Sequence, residues 1–311
     1  MKISCIIVTY NRLPLLQECI AAVKNQTQPV DSIYIIDNQS TDGTSDYLQT
    51  LKDDHSFIIV TLPENRGGAG GFSEGIRKAV MDGCDWVWVM DDDTIPTVNA
   101  LEELVKGTTV SDLVGYVCSK VIWKDDMLHK MNIPDFNSRN NVEFPLNYYT
   151  YLADVLLVKS ASFVSLLINS KVVKEVGLPI KEFFIWGDDL EYTTRIFNKG
   201  YLCLYADKSI VLHKTEANYV SDIKTAPSSA AWKFYYGFRN AVFLRRAKKK
   251  NIVVFFFYAL NAYRRNKRKL KKRQEEEGKK AFAKALKKAF WDSLSFHPQI
   301  EYLSDKDIYK P

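Results

Sequence analysis

The stretch Trp86-Val87-Trp88-Val89-Met90-Asp91-Asp92-Asp93, followed by Thr94-Ile95-Pro96, decides how this chain folds. Its first five residues are apolar and aromatic, the signature of a short buried strand. Three carboxylates follow at the strand's exit. They repel one another and are costly to desolvate there, and a divalent cation is the simplest relief. Oxygen ligands at a strand's carboxyl end suit Mg²⁺ or Mn²⁺ holding a diphosphate. Taken alone, the triplet also reads as a solvated acidic turn.

Upstream of it, strand and helix patterns alternate. Lys2–Thr9 reads as a buried strand, and Pro14–Asn25 as a helix through Leu15, Leu16, Cys19, Ile20 and Val23. Ser32–Asp37 is a second strand, Thr41–Leu51 a helix, Phe57–Leu62 a third strand and Gly70–Met81 a helix. This order predicts an α/β fold with a Rossmann-like, mostly parallel sheet and right-handed crossovers. Ligands then lie at the carboxyl ends of the strands. Downstream, Val114–Val121 and Val155–Val158 read as strands and Asp188–Asn198 as a helix. Leu202–Ala206 and Ile210–His213 read as a closing pair of strands. Residues 132–150 read as a long surface loop, and 228–290 as mostly helical.

The five cysteines, Cys5, Cys19, Cys84, Cys118 and Cys203, are dispersed and show no CxxC spacing. An odd, dispersed set argues against a disulfide framework or a zinc site and for a reducing, cytoplasmic setting. The expected first strand begins at Lys2, which leaves no secretory signal ahead of it. The net charge of +6 is uneven: residues 245–290 hold 18 Lys/Arg against 3 Glu, whereas residues 1–244 hold 23 Lys/Arg against 30 acids. An acidic body is therefore followed by a strongly basic segment.

Polar clusters fall at the expected strand ends. Thr9-Tyr10-Asn11-Arg12 ends the first strand, where such a loop can pack on a base or ribose. Asp37 ends the second, where a carboxylate can accept from a base imide or a ribose hydroxyl, and Ser40 or Thr41 can cap the following helix. Asn65-Arg66-Gly67-Gly68-Ala69-Gly70-Gly71 follows the third; its glycines allow close backbone approach to anionic oxygens at a helix N-terminus, and Arg66 adds charge. It is neither a Walker motif nor GxGxxG. Asp188 and Asp189 open a helix beside Phe183, Phe184, Ile185 and Trp186. They can be a capping pair, or one can serve as a general base in apolar surroundings. His213 ends a strand. A lone histidine is more often structural than a ligand, but this chain already implies a metal.

In their joint order, TYNR, DNQSTDGT, NRGGAGG, MDDD, WGDDLE and a trailing histidine resemble the family 2 inverting glycosyltransferases of GT-A fold. The pattern looks most like bacterial galactofuranosyltransferases and related rhamnosyltransferases. The resemblance implies a catalytic domain over 1–225, with a nucleotide-sugar half over about 1–110 and an acceptor half over about 111–225. A C-terminal helical, basic region over 226–311 follows. It implies a UDP-sugar donor held by Thr9, Tyr10, Asn11, Asp37, Asn65, Arg66, Gly67, Gly68 and Asp92. Asp91, Asp93 and His213 would hold Mn²⁺ or Mg²⁺, and Asp189 would be the base. Trp186, Asp188, Glu191 and Arg239, the last in WKFYYGFRN, would meet a glycan or lipid-linked acceptor. The donor implied is UDP-galactofuranose, with dTDP-rhamnose the alternative.

The basic segment carries an apolar run of about 12 residues, too short to span a bilayer. Phe282, Leu286 and Phe290, with Ala285 and Ala289, share one helical face ringed by lysines. That face suits either a helix lying in an anionic membrane surface, on the inner side of the cell membrane, or a core helix. Nucleic-acid binding is disfavoured by the acidic body and by the lack of a recognition motif. A nucleotidyltransferase would show a Lys/Arg-bearing glycine loop after the first strand, where this chain has TYNRLP. A non-catalytic membrane adaptor would not need Asp93, Asp189 and His213.

Overall fold

A computed structural model describes residues 1–136, 154–218, 221–246 and 251–303. Most of the expected 132–150 loop lies outside the described residues. The chain forms two compact units. The first comprises Met1–Lys181, Asp189–Tyr219 and the stretch from Ile300 on; the second comprises Glu182–Asp188 and Val220–Gln299.

The first unit is built on one sheet. Its strands are β1 (Ile3–Thr9), β2 (Ser32–Asp37), β3 (Phe57–Thr61), β4 (Trp86–Asp91), β5 (Thr94–Pro96), β6 (Val114–Ile122), β7 (Asp135–Phe136), β8 (Val155–Ser160), β9 (Leu166–Asn169) and β10 (Leu202–His213). Their order is β3-β2-β1-β4-β9-β6-β10-β8-β7, with β5 paired to β10. The first four run parallel, β9 is antiparallel to both neighbours, and β6 and β10 are parallel again. This is the expected GT-A architecture: a mixed, largely parallel sheet flanked by helices.

Strand β1 is buried at every position. Its side chains alternate between two apolar layers, Ile6 and Val8 on one face and Cys5 and Ile7 on the other. Strand β4 does the same, with Val87 and Val89 opposite Trp88 and Met90. Helices on both faces explain why these strands read as continuous apolar runs rather than alternating ones.

The helix after β3 begins at Gly67, three residues before the expected Gly70. Gly67 has φ +68°, which a side chain would disfavour. Gly71 and Gly75 lie one turn apart against the sheet, where an added Cβ would come within 2.5 Å of Val8 and Ile6. Part of the glycine cluster therefore serves helix–strand packing rather than a ligand.

Further differences have local causes. The two strands expected over 202–213 are one strand, with a register break against β6 between Ala206 and Ile210. Asp207-Lys208-Ser209 looks like a turn, yet Ser209 is buried and its hydroxyl donates to the Ala100 carbonyl at 2.8 Å. The helix after β2 starts at Thr44, and its first residues are held by Asp42, not by Ser40 or Thr41. The five cysteines are buried and free.

The second unit packs three helices, Ala231–Arg246, Ile252–Lys271 and Glu276–Ser295. Asn251 caps the middle one by accepting from the backbone N–H groups of Val253 and Val254. Phe282, Leu286, Ala289 and Phe290 are buried in this unit's core beside Phe238, Phe255 and Ala259. The apolar face that suited a membrane is thus a core face. No helix among the described residues is long and apolar enough to cross a membrane.

Candidate active site

Parallel pairing sets the ends of β2, β1 and β4 side by side. Asp37 is opposite Thr9, and Asp91 is opposite Val8. Immediately beyond β4 the chain turns into β5, whose three residues pair with the end of β10 and place His213 opposite Thr94. The backbone N–H of Lys214 donates to the Asp93 carbonyl at 2.8 Å. A very short strand thereby joins an acidic turn to a histidine 120 residues away.

Asp91, Asp93 and His213 each offer a ligand atom, and these atoms lie within 4.8 Å of one another. Nε2 of His213 is 3.1 Å from Oδ1 of Asp93. That oxygen is buried and has no hydrogen-bond donor, and the buried hydroxyl of the next residue, Thr94, also lacks a partner. Nδ1 of His213 lies 2.9 Å from the amide oxygen of Asn132, whose Nδ2 donates to Ser162 Oγ at 2.9 Å. With the proton on Nδ1, Nε2 presents its lone pair to the two carboxylates. This is the outer support that a metal-ligating histidine uses. An orphaned carboxylate oxygen, a second carboxylate and an oriented imidazole fit a hard or borderline divalent cation.

Alternation along the chain sends Asp92 elsewhere. Its Oδ2 accepts from the Thr9 hydroxyl at 2.8 Å and the Tyr10 N–H at 3.4 Å. Arg12 bridges the cluster, with Nη1 at 2.7 Å from Asp93 and 3.3 Å from Asp92. Burial pushes Asp92 up to about 6 against the pull of Arg12. Burial also raises Asp91, reinforced by the Asp93 charge. For Asp93 burial is outweighed by His213 and Arg12, and its carboxyl is held down. His213 is raised: burial opposes its charge, but Asp93 and Asp91 prevail.

A second group forms at the β1 and β2 ends. Asp37 is fully buried and accepts from the Ser40 N–H at 3.0 Å. Asn11, at φ +53°, accepts from the Thr41 N–H at 2.6 Å, and its own N–H donates to Ser40 Oγ. Asn38, which sequence reasoning passed over, accepts from the Arg66 N–H and donates to the Gly67 carbonyl. Asn65 accepts from the Gly67 N–H at 2.8 Å. Arg66 is exposed and paired with Glu64 at 3.4 Å. Tyr10 is exposed, and Gly68 is partly so. These residues shape a polar shelf along the strand ends.

Asp189 stands in the first turn of the Asp188–Asn198 helix. Thr193 Oγ1 donates to its backbone carbonyl at 2.7 Å and also to Ala161 at 3.1 Å, tying this turn to the end of β8. Glu191, expected at the acceptor, has both oxygens engaged by Arg195, at 3.0 and 2.8 Å. Arg195 in turn donates to the carbonyls of Val176 and Leu178. Glu191 therefore anchors the helix rather than presenting a free carboxylate.

Within the second unit, the Glu182–Asp188 loop has left-handed residues at Phe184, Trp186 and Gly187. Arg239 and Asn240 hold it there. Asn240 Nδ2 donates to the carbonyls of Phe183, Ile185 and Trp186, and Arg239 to those of Glu182 and Phe183. Arg239 is buried, with Phe296 stacked 3.8 Å from its guanidinium. Its Nη2 is engaged by the carbonyls of the loop that carries Trp186 and Asp188, and its Nε donates to Asn240 Oδ1, so it braces that loop.

The sequence pattern of Glycosyl transferase family 2 matches residues 4–175, more than half of the chain. The chain belongs to Glycosyl transferase family 2. The match holds the strand ends, the shelf and the Asp91–Asp93 turn; Asp189 and His213 lie beyond it. Among curated relatives in this family, the galactofuranosyltransferase GlfT1 of Mycolicibacterium smegmatis is 24% identical over 202 residues, spanning 64% of this chain and 66% of that protein. The chain thus spans just under two thirds of that relative. Two solved structures share the fold. A mannosyltransferase from Pyrobaculum calidifontis in complex with GDP-Man and Mn²⁺ has a TM-score of 0.56 at 18% identity, covering 91% of this chain and 74% of the other. GalNAc-T7 with UDP, GalNAc and Mn²⁺ has a TM-score of 0.57 at 16% identity, covering 78% and 51%.

Proposed function

We propose that the chain is an inverting, metal-dependent hexosyltransferase that moves galactofuranose from UDP-galactofuranose to a lipid-linked or other cell-surface glycan. The observation that carries this reading is the Asp91–Asp93–His213 cluster, with its orphaned Asp93 oxygen, at the carboxyl edge of a nucleotide-type sheet. The galactofuranose donor is supported by the relationship to GlfT1 and by the NRGGAGG and DDD motifs.

Asp91, Asp93 and His213 would hold Mn²⁺ or Mg²⁺, which supplies Lewis-acid stabilisation of a departing diphosphate. The protein's own residues do the rest. Asn11 and the Thr9–Tyr10 turn receive the nucleoside, and the buried Asp37 braces them through Ser40. Asp92 keeps that turn in place through Thr9, and Arg12 contributes a positive charge beside the acid pair. Asn65, Arg66, Gly67 and Gly68 offer polar contacts at the start of a helix. Asp189 removes the proton from the acceptor hydroxyl, whose oxygen attacks the anomeric carbon on the face opposite the leaving group. A single displacement inverts the configuration. Trp186 and Asp188 would meet the acceptor, and Asn240 Nδ2 holds the Trp186 carbonyl.

The test is a donor panel of UDP-galactofuranose, UDP-galactopyranose and dTDP-rhamnose, read by free nucleoside diphosphate and by transferred sugar. UDP release with furanose transfer is expected. Turnover of dTDP-rhamnose alone would overturn the donor assignment, and release of pyrophosphate would indicate nucleotidyl transfer instead.

A further inference from the structure

We infer that the outward face of the Ile252–Lys271 helix, continued by Trp291, docks the protein on an anionic lipid bilayer. This surface lies wholly within the second unit and stands independently of the transfer reading.

The helix divides its residues by face. Phe255, Ala259, Ala262 and Leu270 enter the unit's core. Away from that core face, Val253, Val254 and Phe257 leave 48–57% of their surface exposed, and Ile252, at the very start of the helix, leaves 62%. Four large apolar side chains exposed within two turns form a patch that a soluble surface seldom carries. Half-exposed Phe256 packs 6.2 Å from the buried Phe290, and Phe290 is 5.1 Å from Trp291, a second exposed aromatic with 58% of its surface free.

The character of the face changes along the helix axis. After the apolar turns, Tyr258, Asn261, Arg264, Arg265 and Arg268 line an open hollow of about 430 Å³. Residues 251–274 contain no Asp or Glu, while residues 264–273 hold eight Lys/Arg. At a rise of 1.5 Å per residue, Phe257 and Arg268 stand about 16 Å apart along the axis. That separation fits a helix entering a membrane interface obliquely. Its apolar first turns reach the upper acyl region, Tyr258 lies at the boundary, and the arginines meet lipid phosphates. The charge complementarity selects an anionic bilayer. Exposed valine, isoleucine and phenylalanine have no counterpart in a nucleic-acid backbone, which disfavours that polyanion.

The experiment is flotation of the full chain with phosphatidylcholine vesicles, with and without phosphatidylglycerol, across a salt series. Binding is expected only with phosphatidylglycerol and should decline as salt shortens the screening length. Reversing Arg264, Arg265 and Arg268 to Glu should weaken partitioning by roughly a hundredfold or more. Phe257→Asp should weaken it while leaving the salt dependence in place. Lipids brominated in the acyl chain should quench the native protein but lose part of that quenching in Trp291→Phe. All these positions are exposed, and circular dichroism of each variant checks its folding. The inference is overturned if the full chain fails to float at low salt, or if folded charge-reversed protein floats as well as the native. It is equally overturned if Phe257→Asp abolishes self-association in sedimentation while vesicle binding is absent. Binding to a nucleic-acid duplex that is tighter than binding to vesicles and indifferent to Phe257→Asp would also overturn it.

Discussion

The amide oxygen of Asn132 lies 2.9 Å from Nδ1 of His213, on the side of the ring away from the two aspartates. With a proton on Nδ1 the ring donates to this asparagine, and Nε2 faces Asp93. The neighbouring His129 ring, 4.5 Å from His213, is lowered to about 4 by burial and by His213, so it stays neutral and does not compete for that proton.

Asn132→Leu should therefore lower Mn²⁺ affinity by roughly 10- to 100-fold. Thermal stability in the absence of metal should change much less. Calorimetric metal titration and thermal melts separate the two. Asn132→Asp, which keeps an acceptor oxygen beside Nδ1, should recover much of the affinity. An unchanged titration in Asn132→Leu would show that the ring is oriented by other contacts.

Metal binding should strengthen with pH. Asp91 and Asp92 are raised above the ordinary carboxylate value, and His213 is raised above the ordinary imidazole value. Groups raised on folding stabilise the folded state below their unfolded values, and that contribution is lost as pH rises through the folded ones. For Asp92 the loss runs from the usual carboxylate range to about 6. A cation needs Asp91 ionised and His213 neutral, so it competes with the same protons. The rise in melting temperature on adding Mn²⁺ should thus be small at about pH 5 and large at about pH 8. Asp93→Ala should abolish that rise and most turnover, and excess EDTA should do the same to the native enzyme. Full turnover in EDTA would end the metal reading.

Asp189→Asn is nearly isosteric but cannot accept the acceptor's proton. Transfer should fall by roughly 10²- to 10⁴-fold. UDP affinity, measured separately by calorimetry, should stay near the native value. A loss of UDP binding that matched the loss of rate would move Asp189 from the acceptor to the donor side.

Gly75 packs its α-carbon against β1, where a methyl group would meet Ile6 at 2.5 Å. Gly75→Ala should destabilise the fold by about 1–3 kcal/mol through overpacking. Gly83, at φ +81° with nothing within 4 Å of an added Cβ, should respond through backbone strain alone. Denaturant melts of the two alanine variants compare these causes directly.

The parallel half of the sheet was legible in the chain because its strands are buried on both faces and separated by helices of ordinary length. β1 through β4 occur where their apolar runs stand. Strand β5 was not legible: three residues carry no period, and only pairing with β10 makes Thr94–Pro96 a strand. The same holds for β9, whose four residues lie between β4 and β6 in the opposite direction. Asn132 gave no local signal either, since its partner is 81 residues away.

By itself, the sequence determined that acids, glycines and a TYNR turn would gather at strand ends, because strand order and alternation are local properties. It also determined that the late segment would be helical and basic. Tertiary packing alone decided how each group is used. It turned Asp92 toward Thr9 and Asp93 toward His213, occupied Glu191 with Arg195, and set Arg239 Nη2 on the carbonyls of the Glu182–Asp188 loop. It also buried Phe282 and Phe290 while leaving Phe257 and Trp291 exposed. An amphipathic pattern specifies that one face will be covered; what covers it depends on which other surfaces the folded chain brings within reach.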